Sequence, residues 1–269
     1  MRRLSSLLLA LAVTAMLAAP AAAARDRAIY LALGDSLAVG DGATVPAGTS
    51  YVPLMADYFG GTRHGAITDF VNLAVGGENT GSFIAGQLGA ALATINDPDT
   101  DVARVTLSIG GNDLGDLLST PPCNADPTGA ACQFAVFTAL SGVANNYPVI
   151  LGSLQAALAA DPGDEKVFVV TLWNAFGGTG SPFEVPVDFA LLGSDLMVDC
   201  AANAVDPTRI GLNDLISCIG MVLDAVVVDL YPVIGDSSLT YTHIGVGDVH
   251  PNDAGYALIA KAHRRADKA

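Results

Sequence analysis

Acyl transfer requires a nucleophile, a base that titrates near neutral pH and fixed donors for the oxyanion that develops. Four short blocks of this sequence offer those groups. Gly34-Asp35-Ser36-Leu37 supplies a serine hydroxyl. Asn72-Leu73-Ala74-Val75-Gly76-Gly77-Glu78-Asn79-Thr80 supplies a loop whose glycines let backbone N–H groups approach a ligand with no Cβ in the way. Gly110-Gly111-Asn112-Asp113 supplies a side-chain NH₂, a donor whose charge does not change with pH. His250-Pro251-Asn252, with Asp248 just before it, supplies an imidazole.

These blocks are useful only if the chain brings them together. Five apolar, β-branched runs read as buried strands: residues 28–33, 69–73, 104–109, 166–172 and 226–230. Continuous apolar character, rather than alternation, suits a parallel sheet covered on both faces. Helical stretches fall between them at 50–59, 80–95, 134–160, 188–204 and 212–224, with a last helix at 253–265. The stretch 134–160 is expected as two helices broken near Pro148. Strands alternating with helices imply an α/β doubly wound sheet in one domain, residues 25–269. In such a sheet, ligands gather at the carboxyl ends of the strands. The first three blocks follow the first three strands, and the fourth precedes the last helix. Two loop-rich insertions stand out near 119–133 and 174–224, the second opening on a Gly- and Pro-rich stretch at 174–186.

The four blocks, in this order and spanning nearly all of the chain from about Tyr30 onward, resemble the SGNH hydrolases, also called GDSL esterases and lipases. The resemblance implies a three-layer α/β/α sandwich with a five-stranded, mainly parallel, flavodoxin-like sheet. It also implies a serine esterase or lipase that needs no cofactor and no metal. Ser36 would be the nucleophile and His250 the base. The N–H groups of Ser36 and Gly77, with the Asn112 side chain, would form the oxyanion hole. The sequence departs from the family at one point. The usual acid lies three residues before the histidine, where this chain has Gly247. Asp248 reaching the ring through a changed turn, Asp236 substituting, and a backbone carbonyl orienting a Ser-His dyad all remain open, with Asp248 preferred.

Rival assignments are weaker. Gly235-Asp236-Ser237 repeats the Gly-Asp-Ser triplet, but residues 238–240 read as loop, so Ser237 is expected in a plain turn. Among the other histidines, His263 sits beside Lys261, Arg264 and Arg265 and is expected at the surface; His64 neighbours Arg63 in a loop. His243 is the main competitor of His250, but no helix start follows it, whereas Asn252 is a good N-cap for the last helix. Asp113 is expected to bond backbone locally. Trp173, with Asn174-Ala175-Phe176, either lines an acyl pocket or caps the core. Phosphate loops of the Gly-x-Gly-x-x-Gly or Gly-Lys-Ser/Thr kind are absent around Gly34 and Gly76, and Ala38 breaks a Gly-x-Ser-x-Gly elbow.

The bulk composition agrees with a folded, exported protein. Of 269 residues 51% are hydrophobic and 14% charged, enough apolar material for a sizeable core. Arg2 and Arg3, an apolar run over 7–19, Pro20 and small residues 21–24 have the order of a secretory signal peptide, with cleavage expected near Ala24. The run is short for a membrane span, so no stable membrane anchor is expected. The formal charge is −15, and losing Arg2 and Arg3 with the leader makes it more negative. Such a surface repels phosphate backbones, which argues against a nucleic-acid partner. In an exported chain the four cysteines suggest disulfides; Cys123–Cys132 and Cys200–Cys218 are preferred because each closes a local loop. The expected partner is a small-molecule, lipid or acylated-carbohydrate ester, and the chain is expected to act as a monomer. A carbohydrate or cell-wall O-deacetylase, an acyltransferase and a non-catalytic binding module are the competing functions.

Overall fold

Alternation along the inner strands sends side chains to two opposite cores, whereas the strand expected to be buried at 69–73 is an exposed edge, Asp69–Asn72, with only Val71 half-buried. In β1 (Ala28–Gly34), Ile29, Leu31 and Leu33 enter one and Tyr30 and Ala32 the other. The structure is a computed structural model that describes residues 28–269 except 62–66, 116, 118–120, 122, 161–162, 197, 199 and 201–208. The expected signal peptide and His64 lie outside the described residues.

After β1 come α1 (Ser36–Val39), α2 (Pro46–Thr49), α3 (Tyr51–Gly60) and β2 (Asp69–Asn72). Next are α4 (Thr80–Ala85), α5 (Gln87–Ile95), β3 (Asp101–Ser108), α6 (Gly111–Gly115) and α7 (Ala130–Leu158). β4 (Lys166–Val170), α8 (Glu184–Leu192), α9 (Leu212–Val222) and β5 (Val226–Val228) follow. The chain closes with α10 (Tyr231–Ile234), α11 (Ser238–Tyr241), a 3₁₀ turn at Ile244–Val246 and α12 (Asp253–Ala266). All four strand pairings are parallel, in the order β2-β1-β3-β4-β5. The order reverses beside β1, the switch point where open sheets bind ligands. Side chains from α4, α5, α7, α8 and α9 cover one face, and those from α1, α3 and α12 the other. This is the expected α/β/α sandwich.

Several local expectations are corrected. Pro148 does not break its helix: α7 runs unbroken through it. Proline removes the N–H that would reach the carbonyl of Ala144. The loss is outweighed by an apolar stripe that continues on both sides, from Leu140, Val143 and Tyr147 to Ile150, Leu151 and Leu154. By length and composition α7 is apolar enough to cross a membrane; here that stripe packs into the core. The stretch 80–95 is two helices, because Gly86 leaves helical dihedrals at φ −131° and ψ −75°. The helix expected from 188 begins at Glu184, inside the stretch read as loop, with Pro186 in its first turn, where the missing N–H has no intrahelical partner anyway. It ends at Leu192; Gly193 has φ +71°, and a Cβ there would lie 1.9 Å from the Arg209 carbonyl oxygen.

Both preferred disulfides are present. Cys200–Cys218 spans 18 positions and ties the chain before α9 to that helix. Closing a loop of that size stabilises by about 3 kcal/mol in the chain-entropy view. The variant Cys200→Ser/Cys218→Ser is expected to unfold at correspondingly lower guanidinium; an unchanged midpoint would show that the bridge adds no stability.

Candidate active site

Ser36 opens α1 at the carboxyl end of β1. The turn before it is demanding. Gly34 has φ +130°, and a Cβ there would sit 1.9 Å from the Ser108 carbonyl oxygen, so only glycine fits. The Asp35 N–H donates to that same carbonyl at 2.9 Å. The Asp35 side chain then caps α1, accepting from the Leu37 N–H and from the Ser108 hydroxyl, each at 3.1 Å. Burial pushes the Asp35 carboxyl up to about 6, with those hydrogen bonds opposing the shift.

Gln87, at the start of α5, holds Gly34 from the side. It accepts from the Gly34 N–H at 2.6 Å and donates to the Gly34 carbonyl at 2.9 Å. Its amide also donates to the Glu78 carboxylate at 3.3 Å. One buried glutamine thus joins the first block to the second.

The second block turns at Val75–Glu78, closed by a Glu78 N–H to Val75 carbonyl bond of 3.2 Å. Gly77 sits in this turn at φ +76°, with nothing within 4 Å of the place a Cβ would occupy. Backbone conformation, rather than space, calls for glycine there. Asn72 ties the turn's stem to α1 by donating to the Ala38 carbonyl at 2.8 Å. The Asn112 amide donates to the Glu78 carbonyl at 2.8 Å, which fixes the third block against the second and leaves one amide hydrogen over. The N–H groups of Ser36 and Gly77 have no acceptor among the described residues. Asp113 does not bond locally as expected. Its two oxygens accept from the Thr80 N–H at 3.0 Å and the Thr80 hydroxyl at 2.6 Å, a second tie between these blocks.

His250 arrives from the other side of the cleft. Its Nε2 lies 2.8 Å from the Ser36 Oγ, and its Nδ1 lies 2.6 Å from the Asp248 Oδ1. That oxygen also accepts from the His250 backbone N–H at 3.0 Å. A two-residue Asx turn therefore brings the carboxylate onto the ring from a position two residues away. Gly247, which occupies the family's usual acid position, is in a left-handed conformation at φ +86°. Burial pushes the Asp248 carboxyl up, but the two hydrogen bonds from His250 outweigh it, and the group ends below its ordinary range. The ring hydrogen bonds fit one tautomer: Nδ1–H donates to Asp248, and Nε2 accepts from the Ser36 hydroxyl. Such a chain can draw a proton off Ser36.

His243 plays a different part from the one weighed for it. Its Nε2–H donates to the Gly42 carbonyl at 2.8 Å. Its backbone N–H donates to the His250 carbonyl at 3.0 Å, and its carbonyl accepts from Asp248 at 3.2 Å. It binds the loop after Ser36 to the loop that carries Asp248 and His250. Gly42, at φ +85°, permits this closeness, since a Cβ would come within 2.9 Å of the His250 Cβ. A 3₁₀ turn does follow His243, and residues 238–241 form a helical turn after Ser237, both contrary to expectation. Backbone bonds of Ser237 close turns with Ile234, Thr240 and Tyr241. His263 is not at the surface. It is fully buried, stacks on Tyr51 at 5.0 Å, and desolvation lowers its pKa to about 4.

Beside Ser36 and His250 opens a cavity of about 540 Å³. Trp173 is on its wall and only 8% exposed, so it both lines a pocket and closes the core. Among the described residues no group of three or more His, Cys, Asp or Glu side chains is placed to hold a metal.

Comparison with known proteins agrees with this fold. Residues 32–258 match the model of the GDSL-like lipase/acylhydrolase family. Similar solved structures include phospholipase A1 from Streptomyces albidoflavus, at 21% identity, TM-score 0.58 and 89% of this chain against 99% of that one. A lipase from a goat rumen metagenome is 20% identical, with TM-score 0.57 and coverage of 89% and 97%. An acetylxylan esterase from Geobacillus stearothermophilus is 14% identical, with TM-score 0.52 and coverage of 90% and 94%. No curated protein matches the sequence. The family match spans most of the chain and all four blocks, and the chain belongs to the GDSL-like lipase/acylhydrolase family.

Proposed function

We propose that the protein is a secreted carboxylic ester hydrolase working through an acyl-enzyme on Ser36. The observation that carries this reading is the 2.8 Å contact between the Ser36 Oγ and the His250 Nε2, with Asp248 on the other ring nitrogen. Ser36 attacks the ester carbonyl carbon while His250 takes its proton. The tetrahedral intermediate collapses, the C–O bond to the alcohol breaks, and the alcohol leaves with the proton from His250. Water then attacks the acyl carbon, gives a proton to His250 and releases the acid, and the proton returns to Ser36. The N–H groups of Ser36 and Gly77 and the spare hydrogen of the Asn112 amide hold the oxyanion. The two disulfides and the leader-like residues 1–24 support secretion.

A fluorophosphonate probe tests the assignment. One adduct is expected, on the peptide bearing Ser36. An adduct on Ser237 instead, or no adduct and no ester turnover, would overturn it. Asn112→Ala is expected to lower kcat about 10²–10³-fold with little change in KM, because the lost donor acts on charge that develops only in the transition state. A KM effect with unchanged kcat would place Asn112 in ground-state binding instead.

A further inference from the structure

We infer that the protein selects esters of medium-chain fatty acids over acetyl esters, the acyl chain filling the chamber beside Ser36; this rests on the ester hydrolase reading above. The chamber's 540 Å³ is of the size that buries a whole drug-sized ligand, whereas an acetyl group needs only a shallow niche. Its polar wall side chains are few. Asp35, Ser36, Asn112 and His250 belong to the reacting end, and Asn124 comes from the loop bridged by Cys123–Cys132. The remainder is aliphatic, aromatic or glycine.

The depth of those walls is informative. Val136 from α7, Ala190 and Leu191 from α8, and Leu212 from α9 are all 5% exposed or less, so the chamber reaches into the core between helices. A sugar in such a place would leave its hydroxyls without partners, a heavy loss for buried polar groups. A hydrocarbon chain loses nothing there and gains by leaving water. Part of the wall comes from the two insertions, residues 119–133 and 174–224, each held by its own disulfide. The second insertion thus supplies much of the apolar wall, alongside Leu37, Gly111 and Pro251 from the catalytic blocks.

Ala190 and Val187 are placed to set chain length, both on α8 and both on the wall. The test is kcat/KM for p-nitrophenyl acetate, butyrate, octanoate and decanoate below their critical micelle concentrations. Each methylene accommodated is worth about fourfold, so octanoate, with six more than acetate, is expected to exceed it by up to about 4,000-fold and by at least about a hundredfold. Ala190→Phe is expected to lower octanoate turnover by about thirtyfold and acetate by less than about threefold. Val187→Phe, at a half-buried position, reads the same effect should Ala190→Phe not fold. A wild type that prefers acetate, or folded variants that lose all esters equally, would sink the chamber inference while fluorophosphonate labelling keeps the hydrolase reading alive. No labelling and no turnover of any ester would sink both.

Discussion

Ser36→Ala is expected to remove ester turnover by about 10⁶ in kcat, the scale on which removing the nucleophile of a serine hydrolase acts. The size follows from what stays behind. Without the hydroxyl no acyl-enzyme forms, and the remaining machinery is oxyanion donors and a base facing water, which retain only a small residual acceleration. The fold should not notice. Gly34 remains clamped by Gln87, Asp35 still caps α1, and among the described residues the Ser36 side chain bonds only to His250. The stability change is therefore below about 1 kcal/mol, readable as a nearly unchanged melting temperature. Ser237→Ala, the same change in the repeated triplet, should leave kcat intact. A Ser36→Ala enzyme that keeps even a hundredth of wild-type kcat, after active-site titration to exclude contamination, would mean that another group forms the covalent bond.

Strand positions were readable because parallel strands buried on both faces have a plain signature. Residues 166–170, Lys-Val-Phe-Val-Val, are apolar apart from the half-buried Lys166 at the edge; alternation with helices gave the doubly wound class, and the flavodoxin-like strand order came only from the family resemblance. The closeness of Ser36 and His250 was readable only through the four blocks taken together, since each alone is a common turn. Three features were hidden for different physical reasons. Gln87 carries no motif: a helical glutamine becomes a clamp only because α5 starts beside the end of β1. Gly42 and His243 act through backbone approach, which leaves no side-chain pattern in one sequence. His263 did carry a signal that its charged neighbours masked. Tyr256, Ile259, Ala260 and His263 fall at spacings of three and four and make one buried face of α12, while Lys261 and Arg265 lie off it. The polar composition of the segment misled; its period did not.

Asp248→Asn is expected to lower kcat by about 10³ while leaving KM and the melting temperature close to wild type. The carboxylate does two things for His250. It accepts from Nδ1–H, so the ring keeps Nε2 free to accept the proton of Ser36, and its charge stabilises the imidazolium that forms. An asparagine can offer oxygen to the backbone N–H and thereby keep the turn, but it has no charge. If its NH₂ faces the ring, the proton shifts to Nε2, where it blocks the nucleophile. In a buried triad the loss reaches about 10⁴. Here the Asp248 side chain is 45% exposed, and water takes up part of the role, so the smaller figure is expected. The turn geometry makes this variant decisive against the other ways of orienting the ring. Asp236 is not the carboxylate on His250, so Asp236→Asn should leave kcat unchanged. A backbone carbonyl would be indifferent to both changes. Should Asp248→Asn cost less than tenfold, the ring is held by something other than this carboxylate, and the unusual two-residue spacing is a feature of the turn rather than of catalysis.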